Sequence, residues 1–214
     1  MSIKAILWDF GGVLTSSPFE AFNAYEKRRG IPKDFIRKVN SKNHLNNAWA
    51  RFESNKIDLE QFDREFLQET NKAGFPISGR EVTVLLGGDL RPRMVSALKL
   101  CAKHYKIGCL TNNANTGTGS GMSNSQIKAS AVAEVMALFD VVVESSKEGI
   151  RKPNPEIYHL ACQRLKVSPT EVIYLDDLGI NLKPARVIGM LTIKVVSEEQ
   201  AIADLADASG LNIS

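Results

Sequence analysis

The chain has 214 residues, 43% of them hydrophobic and 24% charged, with a formal net charge of +3. Such a composition describes a globular protein with one good-sized core and room for an insertion. A charge so small and so scattered excludes an electrostatic case for nucleic-acid binding. The three cysteines, Cys101, Cys109 and Cys162, lack CxxC spacing and sit in apolar contexts, which argues for small buried thiols over disulfides or structural zinc. No run approaches the roughly 18 apolar residues of a membrane span, so no membrane partner is expected. The apolar run before Asp9 is too short for a signal peptide, and a cytoplasmic enzyme is the expectation.

In chain order, residues 3–8 form the first apolar run and lead into Asp9-Phe10-Gly11-Gly12-Val13-Leu14. The stretch 16–89 then lacks a convincing strand and reads as helices over 18–29, 32–40, 45–54, 58–72 and 78–86. The fourth is the clearest: Asp58 stands as N-cap with Gln61 three residues on, and Leu59, Phe62 and Phe66 share a stripe. Ser16-Ser17-Pro18 and Gly87-Gly88 are natural hinges at the ends of this block. Its length far exceeds the dozen or more residues that a simple crossover needs. The expected organisation is therefore a core of residues 1–15 and 90–214 with a helical domain, 16–89, inserted after the first strand. Trp49 and Arg51 of that insertion could face substrate, but a core tryptophan and a solvated arginine are the readings preferred.

A helix over 92–104 begins at Pro92, and the run 106–111 ends on Leu110-Thr111-Asn112. The segment Asn112–Asn124, with Gly117, Gly119 and Gly121, reads as a loop; it lacks the Lys-Ser/Thr ending of a nucleotide P-loop. After the run 139–143 comes Arg151-Lys152-Pro153-Asn154-Pro155. Asn154 is the expected N-cap and Pro155 the first residue of a helix over 155–166, with Ile157, Leu160, Ala161 and Leu165 on one stripe. The run 171–175 delivers Asp176 and Asp177, and 191–196 is the last apolar run. Continuous apolar runs alternating with helices predict an α/β fold with a doubly wound parallel sheet. In such a sheet, ligands bind outside the carboxyl ends of the strands.

That edge collects Asp9, Asp176, Asp177 and Thr111. Three crowded carboxylates repel unless a cation joins them. A hard dication does so: Mg²⁺ takes one or two carboxylates, waters and substrate phosphate oxygens. With Lys152 added, the charges sum to zero, which prepares the edge for a dianionic ligand such as a phosphate monoester. Thr111 and the backbone at Asn112 can donate hydrogen bonds to phosphoryl oxygens, and a carboxylate can act as nucleophile.

Asp9 to Leu14, Leu110-Thr111-Asn112, Lys152-Pro153-Asn154-Pro155 and Leu175-Asp176-Asp177 with Asn181 resemble the four ordered motifs of the haloacid dehalogenase (HAD) superfamily. The run Tyr174–Arg186 is similar in particular to the N-terminal phosphatase domains of soluble epoxide hydrolases. The resemblance implies a Rossmann-like core with a helical cap at 16–89, and hydrolysis of a small phosphorylated substrate. It implies Asp9 as nucleophile and Mg²⁺ ligand, and Lys152 steadying nucleophile and phosphate. Thr111 and Asn112 then bind phosphate. Asp177, the Gly11 carbonyl and Asp176 complete the metal set. Phosphatases of the superfamily usually have Asp where Gly11 stands, as general acid and base, a contribution worth about 10²–10⁴-fold. Three alternatives follow: a 2-haloacid dehalogenase, a phosphomutase, or a phospholigand-binding protein that has lost turnover. Oligomeric state is not read from the sequence.

Overall fold

The five apolar runs become the five strands of one parallel sheet, with order β3-β2-β1-β4-β5. The strands are β1 (Ala5–Trp8), β2 (Lys106–Thr111), β3 (Val141–Glu144), β4 (Val172–Asp176) and β5 (Leu191–Lys194). The computed structural model describes residues 2–114 and 126–213. Most of the expected Asn112–Asn124 loop, with its three glycines, lies outside the described residues.

Helices cover both faces of the sheet, so strand residues alternate between two apolar layers rather than between core and solvent. Ile6, Trp8, Ile107, Cys109, Ile173 and Leu175 face one layer. Ala5, Leu7, Leu110, Val172 and Tyr174 face the other. The first layer is closed by α6 (Pro92–Cys101), α7 (Gln126–Met136) and α11 (Glu198–Ser209). The second is closed by α9 (Pro155–Leu165) and α10 (Gly179–Val187), and the short α8 (Ser145–Glu148) follows β3 directly. Asn154 caps α9 as expected, its side chain accepting the Glu156 N–H at 3.0 Å. The expected α/β fold is thus present. All three cysteines are free and buried, and no helix among the described residues is long and apolar enough to cross a membrane.

Between β1 and α6 lie α1 (Pro18–Arg29), α2 (Phe35–Ser41), α3 (Ala48–Glu53), α4 (Leu59–Lys72) and α5 (Gly79–Thr83). They pack around a cluster of their own that includes Phe22, Ile36, Phe52, Phe62, Phe66 and Ile77. Asp58 caps α4 through the Gln61 N–H at 2.7 Å. Two helices begin three residues later than their periodicity suggests. The first turn of α2 is displaced because Asp34 has a positive φ of 62°, and the buried Glu26 carboxylate accepts the Asp34 and Ile36 N–H groups at 2.7 and 2.8 Å. A cap supplied by a different helix leaves no local sequence signal. At α3 the cap is local, with Asn47 accepting from the Ala50 N–H at 2.8 Å.

The two strands of chain leaving and re-entering the core run side by side. Thr15 and Leu90 form an antiparallel bridge, and Ser16 N–H donates to the Asp89 carbonyl at 2.8 Å. A side chain at Gly88 would collide with the Ser16 carbonyl, so glycine there permits the close pairing.

Gly108 plays a similar part inside the sheet. A Cβ at this position would lie 2.8 Å from Leu7 Cδ1 and 2.9 Å from Leu165 Cδ1, so its absence lets α9 sit down on β2. Gly108→Val should lower stability by about 1–3 kcal/mol through overpacking. Urea unfolding followed by circular dichroism measures this, and an unchanged midpoint would show that α9 has room to spare.

Candidate active site

The parallel register sets Trp8 opposite Leu175 on one side and Cys109 on the other. The residues that follow each strand therefore emerge together, Asp9 between Asp176 and the Thr111 end of β2. Asp9 N–H donates to the Leu175 carbonyl at 2.9 Å, continuing the ladder one residue past β1. The Asp9 carboxylate in turn accepts the Phe10 N–H at 2.7 Å.

Between these two acids lies the Lys152 ammonium, only 1% exposed, 2.9 Å from Asp9 Oδ1 and 2.8 Å from Asp176 Oδ2. Lys152 comes from a loop, and Asn112 holds that loop in place. Its side chain accepts the Lys152 N–H at 2.9 Å and donates to the Lys152 carbonyl at 3.0 Å. The Asn112 side chain is thereby committed to Lys152. Burial alone would lower the lysine pKa, but Asp176 and Asp9 together raise it, so the ammonium stays charged. For Asp9, burial raises the pKa well above the usual carboxylate value; Lys152 opposes this, and Asp176 and Asp177 add to it.

Asp176 is fully buried, and both its oxygens are taken up by the protein. Oδ1 accepts the Leu178 N–H at 2.7 Å, and the Asn181 amide lies 3.1 Å from each oxygen. Oδ2 accepts from Lys152 and from the Tyr174 hydroxyl. Tyr174 packs edge-on to Tyr158 at 5.7 Å, whose hydroxyl donates to the Asn181 carbonyl at 2.7 Å. Asp177, by contrast, is partly exposed and lines the cavity above the strand ends. Gly12 makes room for it: its φ is +78°, and a Cβ there would overlap the Asp177 carboxylate.

Carboxylate oxygens of Asp9, Asp176 and Asp177 lie within 4.8 Å of one another. An all-oxygen, all-anionic set of this spacing suits a hard dication such as Mg²⁺. The cavity, about 370 Å³, is lined by Asp9, Gly11, Thr111, Asn112, Lys152 and Asp177 from the core. Its other walls come from the helical insertion, chiefly Phe19, Phe22, Trp49, Phe52 and Leu86. Among the described residues, and apart from its chain neighbours, no atom lies within 4 Å of where a Gly11 side chain would begin.

The geometry matches a family already defined by sequence: the profile of the haloacid dehalogenase-like hydrolases matches residues 3–189. The chain belongs to that family. This hydrolase is 36% identical over 95% of its length to acyl-CoA dehydrogenase family member 10 of Mus musculus, but spans only 19% of that protein. It is 29% identical over its whole length to bifunctional epoxide hydrolase 2 of Sus scrofa, spanning 40% of it. A phosphatase of Mycobacterium tuberculosis is 29% identical, with 89% of this chain and 86% of that one aligned. Among solved structures, a HAD family enzyme of Bacteroides thetaiotaomicron in complex with magnesium and inorganic phosphate superposes with a TM-score of 0.59. That match is 21% identical and covers 90% of this hydrolase and 94% of the other chain.

Asp9, Gly11, Thr111, Asn112, Lys152, Asp176 and Asp177 thus lie at one edge of the sheet. The tyrosine pair was not anticipated, although Tyr174 stands two residues before Asp176 and so shares its side of the strand. Trp49 lines the cavity as well as packing against Phe22, Phe62 and Phe66. Arg51 is not solvated alone but pairs with Glu65.

Burial, then the Asp176 charge, raises the Asp177 pKa from 3.8 to about 6. In the metal-free protein, a raised carboxylate pKa favours the folded state below the unfolded value, and that stability is lost as pH rises through the folded value. Asp177→Asn removes this dependence. In EDTA, its stability relative to wild type should therefore rise by about 1–3 kcal/mol between about pH 4 and pH 7. Thermal unfolding across that range tests this, and a difference flat with pH would contradict it.

Proposed function

We propose that this hydrolase is a Mg²⁺-dependent phosphatase acting on a small phosphate monoester, with Asp9 as nucleophile. The observation that carries the reading is the Lys152 ammonium, buried against Asp9 at 2.9 Å beside two further carboxylates in an open-mouthed cavity. The phosphatase relative from Mycobacterium tuberculosis supports it. Buried free thiols suit the reducing cytoplasm, where we place the enzyme.

In this reading Asp9, Asp177 and the Gly11 carbonyl hold Mg²⁺, with Asp176 beside them. A bound Mg²⁺ neutralises the carboxylates and polarises the phosphoryl group. Because protein donors occupy both Asp176 oxygens, its chief task is to fix Lys152. Lys152 favours the ionised form of Asp9 and offsets charge on the phosphoryl oxygens, while Thr111 and the Asn112 backbone donate hydrogen bonds to them. An Asp9 oxygen attacks phosphorus, the ester P–O bond breaks, and the alkoxide leaves with a proton from water. Water then attacks the aspartyl-phosphate at phosphorus, loses its proton and releases inorganic phosphate, restoring Asp9. Residues 16–89 act as a cap domain over the core formed by 1–15 and 90–214, and its inner walls choose the substrate.

Gly11 has no proton to give, so chemistry should favour esters whose alkoxide leaves readily. Asp9→Asn should abolish p-nitrophenyl phosphate hydrolysis, as should EDTA, with Mg²⁺ restoring the wild type. An unaffected variant, or full activity in EDTA, would overturn the reading. Metal-independent chloride release from 2-chloropropionate would replace it with a dehalogenase.

The open space at Gly11 allows a direct check on the missing acid. Gly11→Asp should raise turnover of alkyl phosphates, by up to about 10²-fold, and change p-nitrophenyl phosphate turnover far less. Tight phosphate-ester binding with no turnover until Asp is introduced would point instead to a binding protein.

A further inference from the structure

Arg151, the residue before Lys152, reaches across to the helical insertion. Its Nε and Nη2 donate to Glu53 Oε2 at 2.8 and 2.7 Å, and Nη1 donates to the His44 carbonyl at 3.0 Å. The other Glu53 oxygen accepts the Trp49 indole N–H at 2.8 Å. The Glu53 carbonyl accepts the hydroxyl of the buried Ser145 at 2.7 Å, a second tie to the core. The Arg151 and Glu53 side chains are only 20% and 13% exposed, so this is not a solvent-screened surface pair. Glu53 is also the last residue of α3, where the helix dipole disfavours a carboxylate. Its position is therefore explained by its partner rather than by its own helix.

The chain of contacts is continuous. Trp49 forms an aromatic wall of the cavity, Glu53 links it to Arg151, and the next residue is the lysine that touches Asp9. We propose that Glu53 and Arg151 are positioning residues forming a latch that holds the helical insertion closed over Lys152. The latch makes the enzyme selective for phosphate monoesters whose organic part is apolar and flat enough to pack on Trp49, Phe22 and Phe52. The selectivity rests on the phosphatase reading above; the latch itself does not. With the latch broken, the core edge still meets a small phosphate, but the aromatic walls no longer close on its substituent.

Two measurements on the full chain separate these layers. Hydrogen exchange in the ligand-free protein should quicken over residues 44–53 in Glu53→Gln and in Arg151→Met. It should quicken no further in the double variant, and exchange in the sheet should stay as in wild type. For kinetics, kcat/KM for 2-naphthyl phosphate should fall tenfold or more in either variant, chiefly through KM, and Glu53→Asp should recover part of it. With acetyl phosphate the change should stay within about threefold, about 0.65 kcal/mol. Unaltered exchange over 44–53 would refute the latch. Quickened exchange with equal losses on both substrates would refute the selectivity and leave a merely structural tie. Should the wild type cleave neither compound, the phosphatase reading and with it the selectivity fall, while the exchange result still decides the latch.

Discussion

A single buried ammonium between two buried carboxylates organises this molecule. Burial penalises the charge on Lys152, and its ion pairs with Asp176 and Asp9 more than offset that penalty. The cost of burying such a cluster is met only if the geometry is held closely. The surrounding structure supplies that hold. Asn112 fixes the lysine backbone, and Tyr174, Asn181 and the Leu178 N–H saturate Asp176. Lys152 and the Phe10 N–H both meet Asp9 Oδ1, and Asp9 lines the cavity.

The sheet makes such a cluster possible because parallel strands end in register. A doubly wound order with β1 in the centre sets residue 9 beside residue 176 and next to the end of β2 at Thr111. Lys152 then enters from a loop after β3, two strands away from β1. Glycines are spent where chain segments must nearly touch: Gly12 beneath Asp177, Gly88 beside Ser16 and Gly108 beneath α9. Gly11 belongs to a different category. None of the described residues crowds it, so its lack of a side chain is chemical in consequence rather than steric. The proposed consequence is a phosphatase that attacks readily and protonates its leaving group poorly.

The helical insertion contributes a second level of organisation. It has its own apolar cluster, yet it is tied to the core by two adjacent chain crossings and by the Glu53–Arg151 pair. One aromatic cluster both stabilises the insertion and walls the cavity. Trp49 belongs to both, so the core and the cavity-facing readings of this residue both hold.

The local pattern was sufficient for the strands, the α/β class and the order of the acids along the chain. Those features depend on apolar continuity and on residues that follow strand ends, both of which are local. Caps written by neighbouring residues, at Asp58 and Asn154, were legible for the same reason. Where a partner lies far away in sequence, the pattern was silent: Glu26 caps another helix, and Glu53 meets Arg151 across 98 positions. Asp176 and Asp177 look alike in sequence, yet one is sealed beneath the site and the other faces the cavity. By itself the sequence determined which chemical groups arrive at the sheet edge. Only the tertiary structure decided which of them are open to a ligand, because burial and hydrogen-bond saturation are properties of neighbours that the chain brings in from elsewhere.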